Sequence, residues 1–184
     1  MPDVPGASPG ASPAMTIRPA TAADIPALHR LIEGAYRGEG PRAGWTHESD
    51  LLGGQRTDPQ ALGESIADPD QLLLVRAALD GCVNLARRAG GIAYLGLLTV
   101  RPTAQGSGLG RQLLAAAETA AATRFDANTV EMTVIRQRRE LIAWYERRGY
   151  ALTGEERPFP LDDARFGLPI VRDLSFVVLA KRLV

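Results

Sequence analysis

The chain predicts a mixed α/β fold, a mostly antiparallel sheet flanked by helices, rather than a run of βαβ crossovers. Three observations predict it. Strand-like segments at 71–79, 82–88 and 92–100 follow one another with only turn signals between them, Asp80-Gly81 and Gly90-Gly91. Helical periodicity appears on both sides of that triplet. The 184 residues, 45% hydrophobic and 23% charged, suffice for one domain with a sizeable core.

The elements follow in order. Thr16 to Pro19 reads as a short strand. Thr21 and Asp24 mark a helix start, and Ile25, Leu28, Leu31, Ile32 and Ala35 share one face. Gly38, Gly40, Pro41 and Gly44 break the pattern, and a short helix is expected over His47 to Leu52. Asp58-Pro59 starts another helix, with Leu62 and Ile66 inward. After the three strands, Pro102 and a glycine-rich loop lead into a helix over 108–123 with Leu109, Leu113 and Ala117 on its buried face. Residues 129–135 alternate as a strand, and 140–148 form a helix closed by Gly149. Ala151 to Thr153 begins a strand, a Pro-rich loop covers 157–173, and Ser175 to Ala180 is the last strand.

Residues 1–14, MPDVPGASPGASPA, bury too little apolar surface to order themselves and read as a disordered tail, with Met15 a second start and the domain at 15–184. The 21 basic and 21 acidic side chains cancel, which argues against a dedicated nucleic-acid binder. Cys82 is the sole cysteine, so no intramolecular disulfide forms, and two histidines, His29 and His47, exclude a histidine-rich metal site. No apolar run approaches the ~20 residues that span a bilayer. A reducing, cytoplasmic setting is expected, with no metal and no membrane or nucleic-acid partner.

The sharpest local feature is Gln105-Gly106-Ser107-Gly108-Leu109-Gly110, between a strand and a helix. Glycines let backbone N–H groups converge, and the helix N-terminus adds unpaired donors, which suits a pyrophosphate. Without a ligand the same residues read as a plain turn. The spacing is G-x-G-x-G, not the dinucleotide G-x-G-x-x-G, and the lysine of a nucleotide P-loop is missing.

The loop resembles motif A of the GCN5-related N-acetyltransferases (GNAT), Gln/Arg-x-x-Gly-x-Gly/Ala, met by Gln105, Gly108 and Gly110. LIAWYERRGY, 141–150, resembles the family's helix-then-strand segment, with Tyr145 four residues before Gly149. The element order fits over roughly residues 15–184. The resemblance implies the GNAT acyl-CoA N-acyltransferase fold, with acetyl-CoA as acetyl donor to a primary amine of a small molecule or peptide. It implies a sheet splayed between the strands 92–100 and 129–135, with pantetheine beside Leu98, Thr99 and Val100. Gln105, Gly106, Ser107, Gly108, Leu109 and Gly110, with Arg111, would hold the pyrophosphate. Arg138 stands where the family often has asparagine, and reads either as a CoA phosphate contact or as part of an exposed loop.

The resemblance makes Tyr145 the general acid. By helical spacing alone, Tyr145 with Leu141 and Trp144 reads as core. The strand 92–100 lacks the carboxylate base of some relatives, leaving a water chain, Glu33, or His47, Glu48 and Asp50. Trp45, His47 and Glu48 are expected at the acceptor pocket, opposite Phe159 and Phe166. Between Arg101 and Arg148, eight arginines face five acids, a surplus of three that the rest of the chain offsets. This suggests a cofactor half and a half that receives a cationic amine. With no nucleophile in view, direct transfer is favoured over an acyl-enzyme. Dimers are frequent in the family, so a homodimer is an expected assembly. The alternative is a non-catalytic CoA-binding or regulatory module on the same fold.

Overall fold

The computed structural model describes residues 16–37, 48–162 and 167–183. The expected tail, Met15, Trp45, His47 and Phe166 lie outside them. The described elements are strands β1 (Ile17–Pro19), β2 (Leu52–Gly53), β3 (Gln71–Arg76), β4 (Gly81–Arg88), β5 (Ile92–Val100), β6 (Thr129–Ile135), β7 (Ala151–Pro158), β8 (Leu168–Pro169) and β9 (Ser175–Arg182). The helices are α1 (Ile25–Tyr36), α2 (Pro59–Ala67), α3 (Leu109–Phe125) and α4 (Arg139–Glu146). The main sheet runs β1-β3-β4-β5-β6-β9-β7, and β2 with β8 forms a separate two-stranded pair. Every pairing is antiparallel except β5 with β6.

Local chemistry explains the ends of the elements. Asp24 accepts from the Thr21 backbone N–H at 2.8 Å and takes both ends of the Arg18 guanidinium at 2.8 Å, which fixes the entry to α1. Asp58 caps α2 by accepting from Ala61 N at 2.8 Å, with Pro59 in the first turn. The helix expected over His47 to Leu52 is instead a turn running into β2. Glu48 O accepts from Leu51 N and Leu52 N, and β2 then pairs with β8. The Pro-rich loop likewise contains a strand, Leu168–Pro169, which pairs with β2.

Two cores lie on opposite faces of the sheet. Leu113, Ala117, Ala121 and Phe125 of α3, with Tyr145 of α4, pack on Leu85, Leu95, Val130, Met132 and Leu179. Leu28, Leu31 and Ile32 of α1 and Leu62 of α2 pack on Leu73, Val75 and Cys82. A third, smaller cluster joins Leu52, Ile135, Phe159 and Leu174. Period-two alternation along the strands sends successive side chains to the two layers.

Cys82 is fully buried, and burial pushes its thiol from an ordinary value near 9.0 up to about 12. Below pH 9 the thiol is protonated in folded and unfolded chains alike. Above it the unfolded chain loses its proton first, so stability falls as pH rises towards 12. Urea unfolding should show a decline from pH 9 to pH 10 that is shallower in Cys82→Ala. Parallel curves would contradict this.

Candidate active site

The parallel pairing of β5 and β6 lasts only three residues, Ile92↔Thr129, Ala93↔Val130 and Tyr94↔Glu131. Beyond it the strands part while β6 stays paired with β9 along its whole length. A bulge in β5 accounts for the departure. Cys82 faces Thr99 and Asn84 faces Gly96, so β5 carries one extra residue there. Leu97 absorbs it at φ +49°, a left-handed conformation costly for leucine. The carbonyl of Leu98 is held from the other side by the Tyr36 hydroxyl, which donates to it at 3.1 Å. Across the gap, Tyr94 Oη and Thr133 Oγ1 lie 2.6 Å apart.

This gap is a cavity of about 580 Å³, of the size that takes a small ligand or the arm of a larger one. Residues 95–100 of β5 and Met132 to Ile135 of β6 form its sides. At one end lie Gln105, Gly106, Ser107, Gly108, Gly110 and Arg111. Gly108 caps α3 at φ +88°, and a Cβ built there would meet nothing within 4 Å. The loop is therefore an open cradle in front of a helix start, with N–H donors directed outward. Gly110 permits close packing instead, since its Cβ would stand 3.4 Å from the Trp144 ring. Ser107 Oγ donates to Ala104 O at 2.6 Å and so shapes the loop. Leu109 is buried and lies outside the cavity's described lining.

Arg148 adds charge at the same end. Its guanidinium lies 3.5 Å from the Trp144 ring centroid, stacked on the indole. Burial, then Arg147 and Arg111, lower its pKa. Arginines in each other's field beside a glycine cradle favour a polyanionic ligand.

Leu141, Trp144 and Tyr145 of α4 all line the cavity, so their shared helical spacing marks a wall of the site as well as packing. Tyr145 is 5% exposed and stacks edge-on to Trp144 and Tyr150 at 5.0 and 5.7 Å. Burial raises its pKa above the ordinary tyrosine value, and Tyr36 adds to this. Arg138 and Arg148 pull the other way. The phenol therefore keeps its proton throughout the physiological range.

The other end lies on the α1 and α2 face. Glu48, 6% exposed, accepts from Arg37 Nη1 at 2.5 Å and Arg138 Nη1 at 3.3 Å, and Arg56 Nε is 3.9 Å away. Arg56 lies over the Tyr36 ring at 5.2 Å, and its backbone is anchored where Arg56 N and Thr57 N donate to Glu33 Oε1 at 2.7 and 2.9 Å. Phe159 and Phe176, with ring centroids 5.0 Å apart, complete the wall.

The structure thus brings Leu98, Thr99, Val100, the loop 105–108, Gly110, Arg111, Arg138, Tyr145 and Glu48 to one cavity. Thr99 turns its hydroxyl inward, donating to Leu97 O at 2.9 Å. Arg138, 9% exposed and paired with Glu48, is not part of an exposed loop. Glu48 was expected to recognise an amine. Glu48 is engaged by arginines, and it is the single carboxylate among the described lining residues. Sequence reasoning missed Tyr36, Arg56, Tyr94, Thr133 and Arg148. Arg148 had a signal, four residues after Trp144 in the segment expected to be helical to 148, although α4 ends at Glu146. The others depend on the bulge and the splay.

A family model described as acetyltransferase (GNAT) domain matches residues 43–159. A search of curated proteins gives no match. Among solved structures, ribosomal-protein-alanine N-acetyltransferase from Brucella melitensis shares 20% identity, covering 92% of this chain and 100% of its own, with a TM-score of 0.69. The protein yncA from Salmonella typhimurium, solved with its cofactor acetyl-CoA, shares 22% over 93% and 95% of the two chains, with a TM-score of 0.65. Nourseothricin acetyltransferase aligns less completely, at 21% identity over 62% of this chain and 66% of its own, with a TM-score of 0.52. At these identities the likeness concerns the fold. The family match, spanning well over half of the chain, carries the assignment: the protein belongs to the GNAT acetyltransferases.

Proposed function

We propose that the protein transfers the acetyl group of acetyl-CoA to a primary amine by direct attack, with Tyr145 as the proton donor on the thiol side. The observation that supports this most is the single cavity that joins an open glycine cradle to a buried, protonated tyrosine. Acetyl-CoA, when bound, supplies the activated thioester. The residues fit it. Gln105 to Gly108, Gly110, Arg111 and Arg148 would hold the diphosphate, and Leu98 to Val100 would flank the pantetheine.

β5 has no strand partner on its β6 side beyond Tyr94, and while side chains occupy the carbonyls of Leu97, Leu98 and Val100, the N–H groups on that side face the cavity without a ladder partner. A backbone N–H of this stretch is the proposed donor to the developing oxyanion. Tyr145 holds its proton at Oη by burial. Its raised pKa makes full transfer to a thiolate uphill, so its contribution is chiefly hydrogen-bond donation to the sulfur as charge develops. Tyr145→Phe should lower kcat by about 100-fold, the low end of acid catalysis, with CoA affinity within about threefold of the parent. Unchanged turnover would remove Tyr145 from the chemistry.

The attacking amine must be neutral. Glu33 is occupied by two backbone donors and Glu48 by arginines, so neither stands ready as a base. We assign deprotonation to solvent through the cavity mouth. The alkaline rise of kcat/KM should then follow the acceptor's own pKa, shifting as acceptors of different basicity are compared. A rise fixed near pH 6 to 7 for every acceptor would reveal a protein base instead.

A further inference from the structure

We propose that the acceptor is an amine with an apolar tail, of the alkyl or aralkyl class, and that Leu52, Ile135, Phe159 and Phe176 form the pocket that takes the tail. The inference rests on the acetyl-transfer reading and names the substrate class of the same cavity.

The splay opens the cavity to both faces of the sheet, and alternation along the strands assigns each wall residue to one face. Ala93, Leu95, Met132, Val134 and Val177 belong to the core under α3 and α4. Tyr94, Gly96, Thr133, Ile135 and Phe176, their neighbours in sequence, therefore point the opposite way. The register agrees. Gly96 faces Asn84 of β4, and Ser65 Oγ of α2 donates to Asn84 Oδ1 at 3.3 Å. The glycine cradle opens α3, and Trp144 and Tyr145 belong to α4, so the cofactor reading uses the first face. The second face is left for the acceptor.

On that second face the wall is apolar. Ile135 and Phe176 stand directly opposite each other in the pairing of β6 with β9, and Phe159 packs on Phe176 with ring centroids 5.0 Å apart. Leu52 of β2 joins the same cluster. All four residues line the cavity, and Phe176 is only half-buried. Gly96 widens the same face. A Cβ built there would meet only the edge of the Tyr94 ring, at 3.8 Å. A glycine inside a paired strand gives up packing, and in a cavity wall it marks close approach by a ligand.

The polar groups on this side are engaged within the protein. Tyr94 Oη and Thr133 Oγ1 bond each other, and the Tyr36 hydroxyl donates to Leu98 O. Glu48 joins Arg37 and Arg138, and Arg56 lies over the Tyr36 ring beside Glu48. A polar or charged tail would leave water without a ready partner, whereas an alkyl or aryl tail gains with every methylene it buries.

The test follows thiol release and product mass for n-alkylamines from propyl to heptyl, and sets hexylamine against cadaverine, the diamine of equal length. The diamine has two reactive ends, and each ammonium makes the other easier to deprotonate, so statistics and protonation both favour it. A preference for hexylamine therefore reads the tail. Along the series kcat/KM should rise about fourfold per methylene until the pocket is full, mainly through KM. Hexylamine should exceed cadaverine by about 30-fold. Phe176→Ala should cut the gain to below about twofold per methylene with CoA affinity retained, and Phe176→Leu should keep most of it. Gly96→Ala, which adds one methyl to the wall, should shorten the best chain by about one carbon. Calorimetry on the CoA-loaded protein should give a heat-capacity change that grows more negative with tail length. No dependence on length, equal or better use of cadaverine, or a Phe176→Ala loss that falls on CoA binding in a folded variant would each overturn the proposal. If cadaverine is acetylated and the alkyl series is not, acetyl transfer stands and the apolar pocket falls. If alkylamines bind with the expected heat-capacity trend but no amine is acetylated, the pocket stands and the transfer reading falls. If the alkyl series neither binds nor reacts, the pocket falls too.

Discussion

Gly108→Trp is expected to weaken CoA binding by about three orders of magnitude. Two effects combine. Gly108 sits at φ +88°, where a side chain costs on the order of 1–3 kcal/mol. Its Cβ direction opens onto the space the diphosphate would use, which an indole would fill. Gly108→Ala separates them, because the methyl meets no neighbour within 4 Å and leaves mainly the conformational cost. That variant should lose about tenfold. Calorimetry on both, with circular dichroism to confirm folding, decides the matter. Unchanged affinity in Gly108→Trp would mean that this loop does not hold the phosphates.

The second large effect falls on stability. Glu48→Ala should cost about 3–5 kcal/mol in urea unfolding, the range for breaking a buried ion pair by removing one partner. Glu48 is the shared acceptor of Arg37 and Arg138, so its loss removes the carboxylate that joins two buried guanidinium groups. A loss below about 1 kcal/mol would show that solvent reaches the cluster and screens it.

Both effects arise where the chain was only partly readable. The glycine loop and α4 were legible because their signals are local: Gln105, Gly108 and Gly110 stand in sequence order, and Gly149 closes α4 at φ +87°. β5 and β6 were legible to their end residues, since alternation and flanking turns fix them. The splay was not legible in the residues themselves and came from the family resemblance. The nearest glycine is Gly96, yet the left-handed residue is Leu97, placed there by register with β4. Nor could the segment 48–53 be read locally. It becomes a turn and a short strand because Leu168–Pro169, more than a hundred residues later, pairs with it.

The acceptor end shows the limit of charge reading most clearly. Glu48 looked like a recognition group for a cation, because spacing shows only its neighbours in sequence. Its partners in space, Arg37, Arg56 and Arg138, come from three separate stretches. Tyr145 is the opposite case. Packing and chemistry were competing readings; the ring packs edge-on against Tyr150 and the residue lines the cavity, so the chemical reading is the one that Tyr145→Phe tests.

The most direct test of acetyl transfer is thiol release from acetyl-CoA, followed continuously while amines are added one at a time, with acetylated products identified by mass. The cavity and its glycine cradle predict release that depends on the amine, with a mass gain of one acetyl group on it. Tight CoA binding with no amine-dependent release across the panel would contradict this and make the chain a CoA-binding module.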